Sequence, residues 1–183
     1  MTPENKIKFK VGAQARSLVL LPKKEAEKRI ETNYYVEGYA ARYEPYVLYH
    51  DGDEPIYERF ERGCFDDCDM SDVIMQFDHA GRVFARSTNG SLIVEPDDAG
   101  LFMAADLGRT EGARGLYADI DAEMITKMSW RFRVGDYYWD AETRTIVHRT
   151  VKKIYDVSAV SIPANDNTEI NARSWADGVI GLA

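Results

Sequence analysis

MQFDHAGRVFARSTNGSLIVEPDDAGLFMAADL, residues 75–107, decides the fold. A compact apolar run ends at a histidine, and strand-like segments follow at hairpin spacing, punctuated by Asn89-Gly90 and by DDAG at 97–100. The simplest reading of this stretch is a three-strand meander. Upstream, YYVEGYAARY (34–43) mixes aromatic and β-branched residues with an interior glycine and reads as the first strand of the folded body, and IYERF (56–60) reads as a short strand between loops. Downstream, Leu116, Ile120, Met124 and Met128 recur four apart, which predicts an amphipathic helix over 111–128 that delivers Ser129. SWRFRVGDYYWD, the turn AETR, and TIVHRTVKKIYDVSAVSIPA then read as long antiparallel strands joined by a tight hairpin and ending at Pro163. Many strands with one or two helices predict a mainly β (α+β) fold, a closed or nearly closed β-barrel with a few helices packed outside.

The chain has 183 residues, enough for one well-buried core and too few for two ordinary domains. A basic leader or short helix is expected over 1–32, the folded domain over 33–166, and a weakly patterned tail over 167–183. No apolar run approaches the roughly 20 residues of a spanning helix, and SLVLLP (17–22) lacks a small-residue cleavage site after it, so neither membrane anchoring nor export is expected. Residues 1–30 carry eight Lys/Arg against three Glu, or +5, which leaves −13 of the net −8 on the remainder. An acidic body repels phosphates, so nucleic acid is not an expected partner. Ten acidic side chains within 44–72 read as a solvated surface.

His79 is the histidine placed where an apolar strand gives way to glycine, a position that holds an imidazole rigidly yet within reach. Ser129 starts an aromatic strand. Asp156, in YDVSAVSIP, is a carboxylate inside an otherwise apolar strand, and burial would oblige it to find a partner. A histidine would serve; an ion pair with Lys152 or Arg149, or exposure on the outer face, would serve as well. Asp78 is poorly placed to orient His79, since neighbours on a strand face opposite ways, whereas Ser158 shares the face of Asp156 and Ser161 does not. Cys64 and Cys68, in GCFDDC, read as small packed thiols rather than a disulfide. A zinc site with His79, or a cysteine hydrolase using Cys64 with His79, are the weaker alternatives.

Three ordered blocks, the stretch at 75–107, ITKMSWRFRV (125–134) and IYDVSAVSIPAN (154–165), resemble the prohead maturation protease family of tailed phages. With the EGYA and GCF segments, the resemblance spans roughly residues 34–166. It implies a fold similar to the herpesvirus assemblin proteases and a serine endopeptidase with a histidine, a serine after methionine and an acidic residue before V-S: His79, Ser129 and Asp156. Members commonly carry SFGF where this chain reads SWRF, and a glutamate where it has Asp156. The implied substrates are the scaffold segment of the major capsid protein or a separate scaffold protein, and the protease itself, cleaved inside the assembling prohead in the host cytoplasm. No cofactor or metal is implied, and a homo-oligomer is compatible with the sequence. A catalytically decayed assembly module of the same fold is the rival reading; retention of all three residues argues against it.

Overall fold

The computed structural model describes residues 28–161 and, as backbone only, Arg16–Val19. Twelve strands and one α-helix are described. Strand β1 (Arg16–Val19) lies within the expected leader; the rest of 1–27, and the tail from 162, fall outside the described residues. The hydrogen-bonded order of the larger set is β6 (Ala80–Arg86), β5 (Ile74–Phe77), β12 (Val151–Val160), β9 (Lys127–Val134), β1, β2 (Tyr35–Arg42), β8 (Gly100–Asp106), β7 (Leu92–Pro96). A smaller sheet runs β10 (Tyr137–Asp140), β11 (Thr145–His148), β4 (Glu54–Phe60), β3 (Tyr46–Asp51). The link through β1 is two residue pairs to each side, so without it the larger set divides at β9 and β2 and the strands form three sheets.

The mainly β character is as expected, but the barrel is not: among the described residues no sheet closes on itself. Closure would require the terminal strands β6 and β7 to pair with each other, and each pairs only with its hairpin partner. The cause lies in STNG. A 3-10 turn at Ser87–Asn89, ended by Gly90 in the left-handed region, carries the chain from one sheet edge to the other instead of closing a hairpin. The expected three-strand meander is therefore two hairpins, β5–β6 and β7–β8.

Two further expectations give way to local geometry. Helix α1 covers Glu111–Asp121, not 111–128; Thr110 caps its start by accepting from the Ala113 amide at 3.1 Å, and Glu123, with φ 58°, turns the chain out of helix. Ala113, Leu116 and Ile120 face the core, while Met124 is exposed and Met128 belongs to β9. The long strand expected from Ser129 to Asp140 breaks at Gly135, whose backbone passes so close to Thr150 that a Cβ would stand 2.1 Å from its Oγ1. Beyond that point β10 joins the smaller sheet, and β9 pairs instead with β12.

The core lies between the sheets. On β9, Met128, Trp130 and Phe132 alternate inward, each at most 1% exposed. Phe60 of β4 packs against Trp130 and Phe132 with ring centroids at 5.2 and 5.5 Å, which joins the smaller sheet to the larger through aromatic contact. His148 stacks on Phe60 at 4.6 Å, and its Nε2 lies 2.7 Å from Glu58 Oε1, so this buried polar pair sits inside the same aromatic cluster. Strand β8 is buried along its whole length. Leu101, Met103 and Ala105 enter the main core, and Phe102 and Ala104 pack on the other face with Tyr35.

Candidate active site

The site is built where β5, β12 and β9 run side by side. Phe77 and Ala80 pair across a two-residue loop, Asp78-His79, with φ 49° and 57°, so β5 and β6 are joined by a tight turn whose two central residues both lie in the left-handed region. Asp78 pins that turn to the end of β12: its amide donates to Ala159 O at 2.9 Å, and its carboxylate accepts from the Ser161 amide and hydroxyl, both at 2.8 Å. Asp78 therefore does not orient His79, as expected, but for another reason: it is a turn anchor rather than a strand residue.

His79 projects from the turn onto Asp156, and its Nδ1 donates to Asp156 Oδ1 at 2.6 Å. That bond leaves Nε2 as the free acceptor, and Nε2 is buried and has no hydrogen-bond partner. Neither Lys152 nor Arg149 pairs with Asp156: Lys152 is exposed, and Arg149 lies over the Tyr138 ring at 4.6 Å.

A bulge decides which way Asp156 points. Ile154 pairs with Phe132 and Asp156 with Arg131, so β12 gains one residue there. Ile154, Val157 and Ala159 all face the core, and Asp156 is turned to the opposite face. Ser158 follows two residues on, and its hydroxyl donates to Asp156 Oδ1 at 2.6 Å and accepts from the Gln76 amide at 3.3 Å.

Ser129 is the cross-strand partner of Ser158, so the two share this face with Cβ atoms about 5 Å apart. Ser129 is 1% exposed and its Oγ makes no hydrogen bond. The structure thus places His79, Asp156 and Ser129 on one face, pairs the first two, and leaves the hydroxyl of Ser129 and Nε2 of His79 both buried and uncommitted. Ser129 is delivered by the loop after α1 and lies third in β9, not at the end of a helix.

Three groups that sequence reasoning left outside the site join it. Arg131 donates from Nε to Asp156 Oδ2 and from its terminal nitrogen to Gln76 Oε1 at 3.2 Å; Gln76 Nε2 donates to Gly81 O at 3.2 Å. The third is Ser158, foreseen as a neighbour of Asp156 but not as its donor. The available signal for Arg131 was its spacing of two from Ser129, which puts both on one strand face. Burial pushes the Asp156 carboxyl up, but the bond and charge of His79, the Ser158 hydroxyl and the Arg131 guanidinium outweigh it and hold the group below its ordinary value. Asp156 is therefore a carboxylate at neutral pH.

The thiols lie elsewhere. Burial pushes Cys64 up to about 12 and Cys68 to about 11, which disfavours the thiolate that nucleophilic or zinc chemistry requires. Among the described residues no group of three His, Cys, Asp or Glu could hold a metal ion.

An imidazole that a carboxylate holds in one tautomer, with an uncommitted serine hydroxyl on the strand face of that carboxylate, offers groups that serine hydrolases use. A family model of the caudovirus prohead serine proteases matches residues 21–178, and the chain belongs to that family. It is a serine protease of capsid maturation, at work in the assembling capsid. No curated protein and no solved structure matches the chain. Among the described residues no helix is long and apolar enough to cross a membrane.

Proposed function

We propose that Ser129 is the nucleophile, His79 its general base and Asp156 the acid that orients the imidazole, in an endopeptidase that removes the scaffold segment of the major capsid protein, or cleaves a separate scaffold protein, and cuts its own chain. The observation that carries this reading is the bond from His79 Nδ1 to Asp156 Oδ1, because it fixes the tautomer with Nε2 free to accept a proton. Ser129 Oγ attacks the peptide carbonyl while its proton passes to His79 Nε2, and the same proton then goes to the leaving amine as the acyl-enzyme forms. Water repeats the sequence to release the acid. Ser158, the other hydroxyl on this face, is already engaged with Asp156 and Gln76, which favours Ser129. Ser129 Oγ is buried and makes no hydrogen bond, so this reading requires the hydroxyl to turn toward Nε2 before it attacks.

The test is co-expression of the chain with the capsid subunit of the same virus. Capsid truncation with the wild type and none with Ser129→Ala, at equal expression, is the expected result. Full truncation by Ser129→Ala would refute the assignment, and no truncation by either would favour the decayed assembly module.

A further inference from the structure

We infer that Arg131 is a positioning residue of this catalytic set, fastening the carboxylate of Asp156 to the hairpin that carries His79. The inference rests on the triad reading above and extends it to a fourth residue. Asp156 is fully buried, and its two oxygens are divided: Oδ1 takes His79 and Ser158, and Oδ2 takes Arg131 Nε. The guanidinium does not stop there. Its terminal nitrogen reaches Gln76 Oε1, and Gln76 hands the chain of bonds on to Gly81 O. Gln76 lies three residues before His79 and Gly81 two after it, so the bonds form a closed circuit from the imidazole through Asp156, Arg131 and Gln76 back to the turn that holds the imidazole.

Only a planar fork can fill this place. Arg131 presents two donors in fixed directions, one to the acid on β12 and one to the amide on β5, whereas a lysine ammonium at the end of a flexible stem serves one or the other. The charges agree with the geometry. From β12 His79 meets the anion of Asp156; from β9 comes the cation of Arg131; Asp78, in its own turn, spends its carboxylate on Ser161. With neutral imidazole the Asp156–Arg131 pair carries no net charge in its buried setting.

The test uses purified full-length protein with the capsid subunit of the same virus as substrate, with initial rates measured against substrate concentration between about pH 5 and 9. Arg131→Met is expected to lose about 100-fold in kcat with KM little changed, since small misplacement of a reacting group is that costly. Arg131→Lys should recover part of the lost kcat but not the full rate, and Gln76→Leu should lower kcat with KM little changed. A wild-type kcat in Arg131→Met would overturn the inference. So would a raised KM with kcat intact, which would mark a guanidinium that binds substrate. Should Arg131→Met fail to fold by circular dichroism, Arg131→Lys and Gln76→Leu decide, and wild-type kcat in both overturns it. Ser129→Ala separates the two levels: residual cleavage there refutes the triad itself, and its inactivity beside unaffected Arg131 variants refutes only the role of Arg131.

Discussion

Replacing Ser129 by alanine should abolish cleavage and make the protein more stable. The side chain is 1% exposed and its hydroxyl has no hydrogen-bond partner, so the folded state carries a desolvated polar group that the unfolded chain gives back to water. Such a group costs about 1–3 kcal/mol. Alanine keeps the Cβ and removes one oxygen, and the void left behind returns part of that gain. A net stabilisation of about 1 kcal/mol is expected, which for a domain of this size raises Tm by about 3 °C. Ser158→Ala is the internal control, because it stands directly across the β9–β12 ladder and is just as buried, but its hydroxyl serves Asp156 and Gln76. Its removal leaves the Gln76 amide and a carboxylate oxygen short of a partner and should cost about 1–3 kcal/mol. Thermal and urea melts of the three proteins in one buffer measure both effects. A Ser129→Ala variant that melts below the wild type would refute the reasoning, since it would show that the hydroxyl is satisfied in the folded state.

Asp156→Asn should lower the cleavage rate by up to about four orders of magnitude, because an amide stabilises no imidazolium and admits the wrong tautomer. Cleavage by Asp156→Asn at the wild-type rate would remove Asp156 from the catalytic set. Asp156 also sets an acid limit to stability. Its folded pKa lies below the unfolded value, so its contribution is present above the ordinary carboxylate range and is lost as pH falls through the lowered value, a loss that urea melts should find missing in Asp156→Asn. Cys64→Ala and Cys68→Ala should cleave at close to the wild-type rate, since burial raises both thiols far above neutral pH; an inactive but folded variant would return the thiol to the mechanism.

Much of the strand content was legible because it is written in local pattern. YYVEGYAARY contains β2, IYERF lies within β4, and the AETR turn sits between β10 and β11. What the pattern could not show was which strands pair. STNG reads as a hairpin turn, yet the buried hydroxyl of Ser91 accepts from the Arg86 amide while its carbonyl accepts from the Asp106 amide. That division sends β6 and β7 to opposite edges, and no propensity of the four residues encodes it. The break at Gly135 likewise depends on the close passage of Thr150, which stands fifteen residues away. Periodicity misled at the end of α1 because Met124 and Met128 continue the four-residue spacing by coincidence of a loop with a strand.

The site was legible in its members and hidden in its parity. Histidine before glycine, a serine opening an aromatic strand and a carboxylate in an apolar one are visible in one dimension, but the facing of Asp156 is not. With Ile154 and Val157 both in the core, three apart, strict alternation cannot hold between them, and the surplus residue could have been placed so as to turn Asp156 inward or outward. The bulge at Tyr155 turns it outward. Only then do the pairs Ser129 with Ser158 and Arg131 with Asp156 set four polar side chains on one patch of two strands, each at an interval of two. The left-handed turn at Asp78-His79 brings the imidazole over that patch from the third strand. The same residues in strict alternation from Ile154 would set Asp156 opposite Trp130 and facing the core, where a carboxylate has no donor, so the bulge is as necessary to the proposed chemistry as the residues it aims.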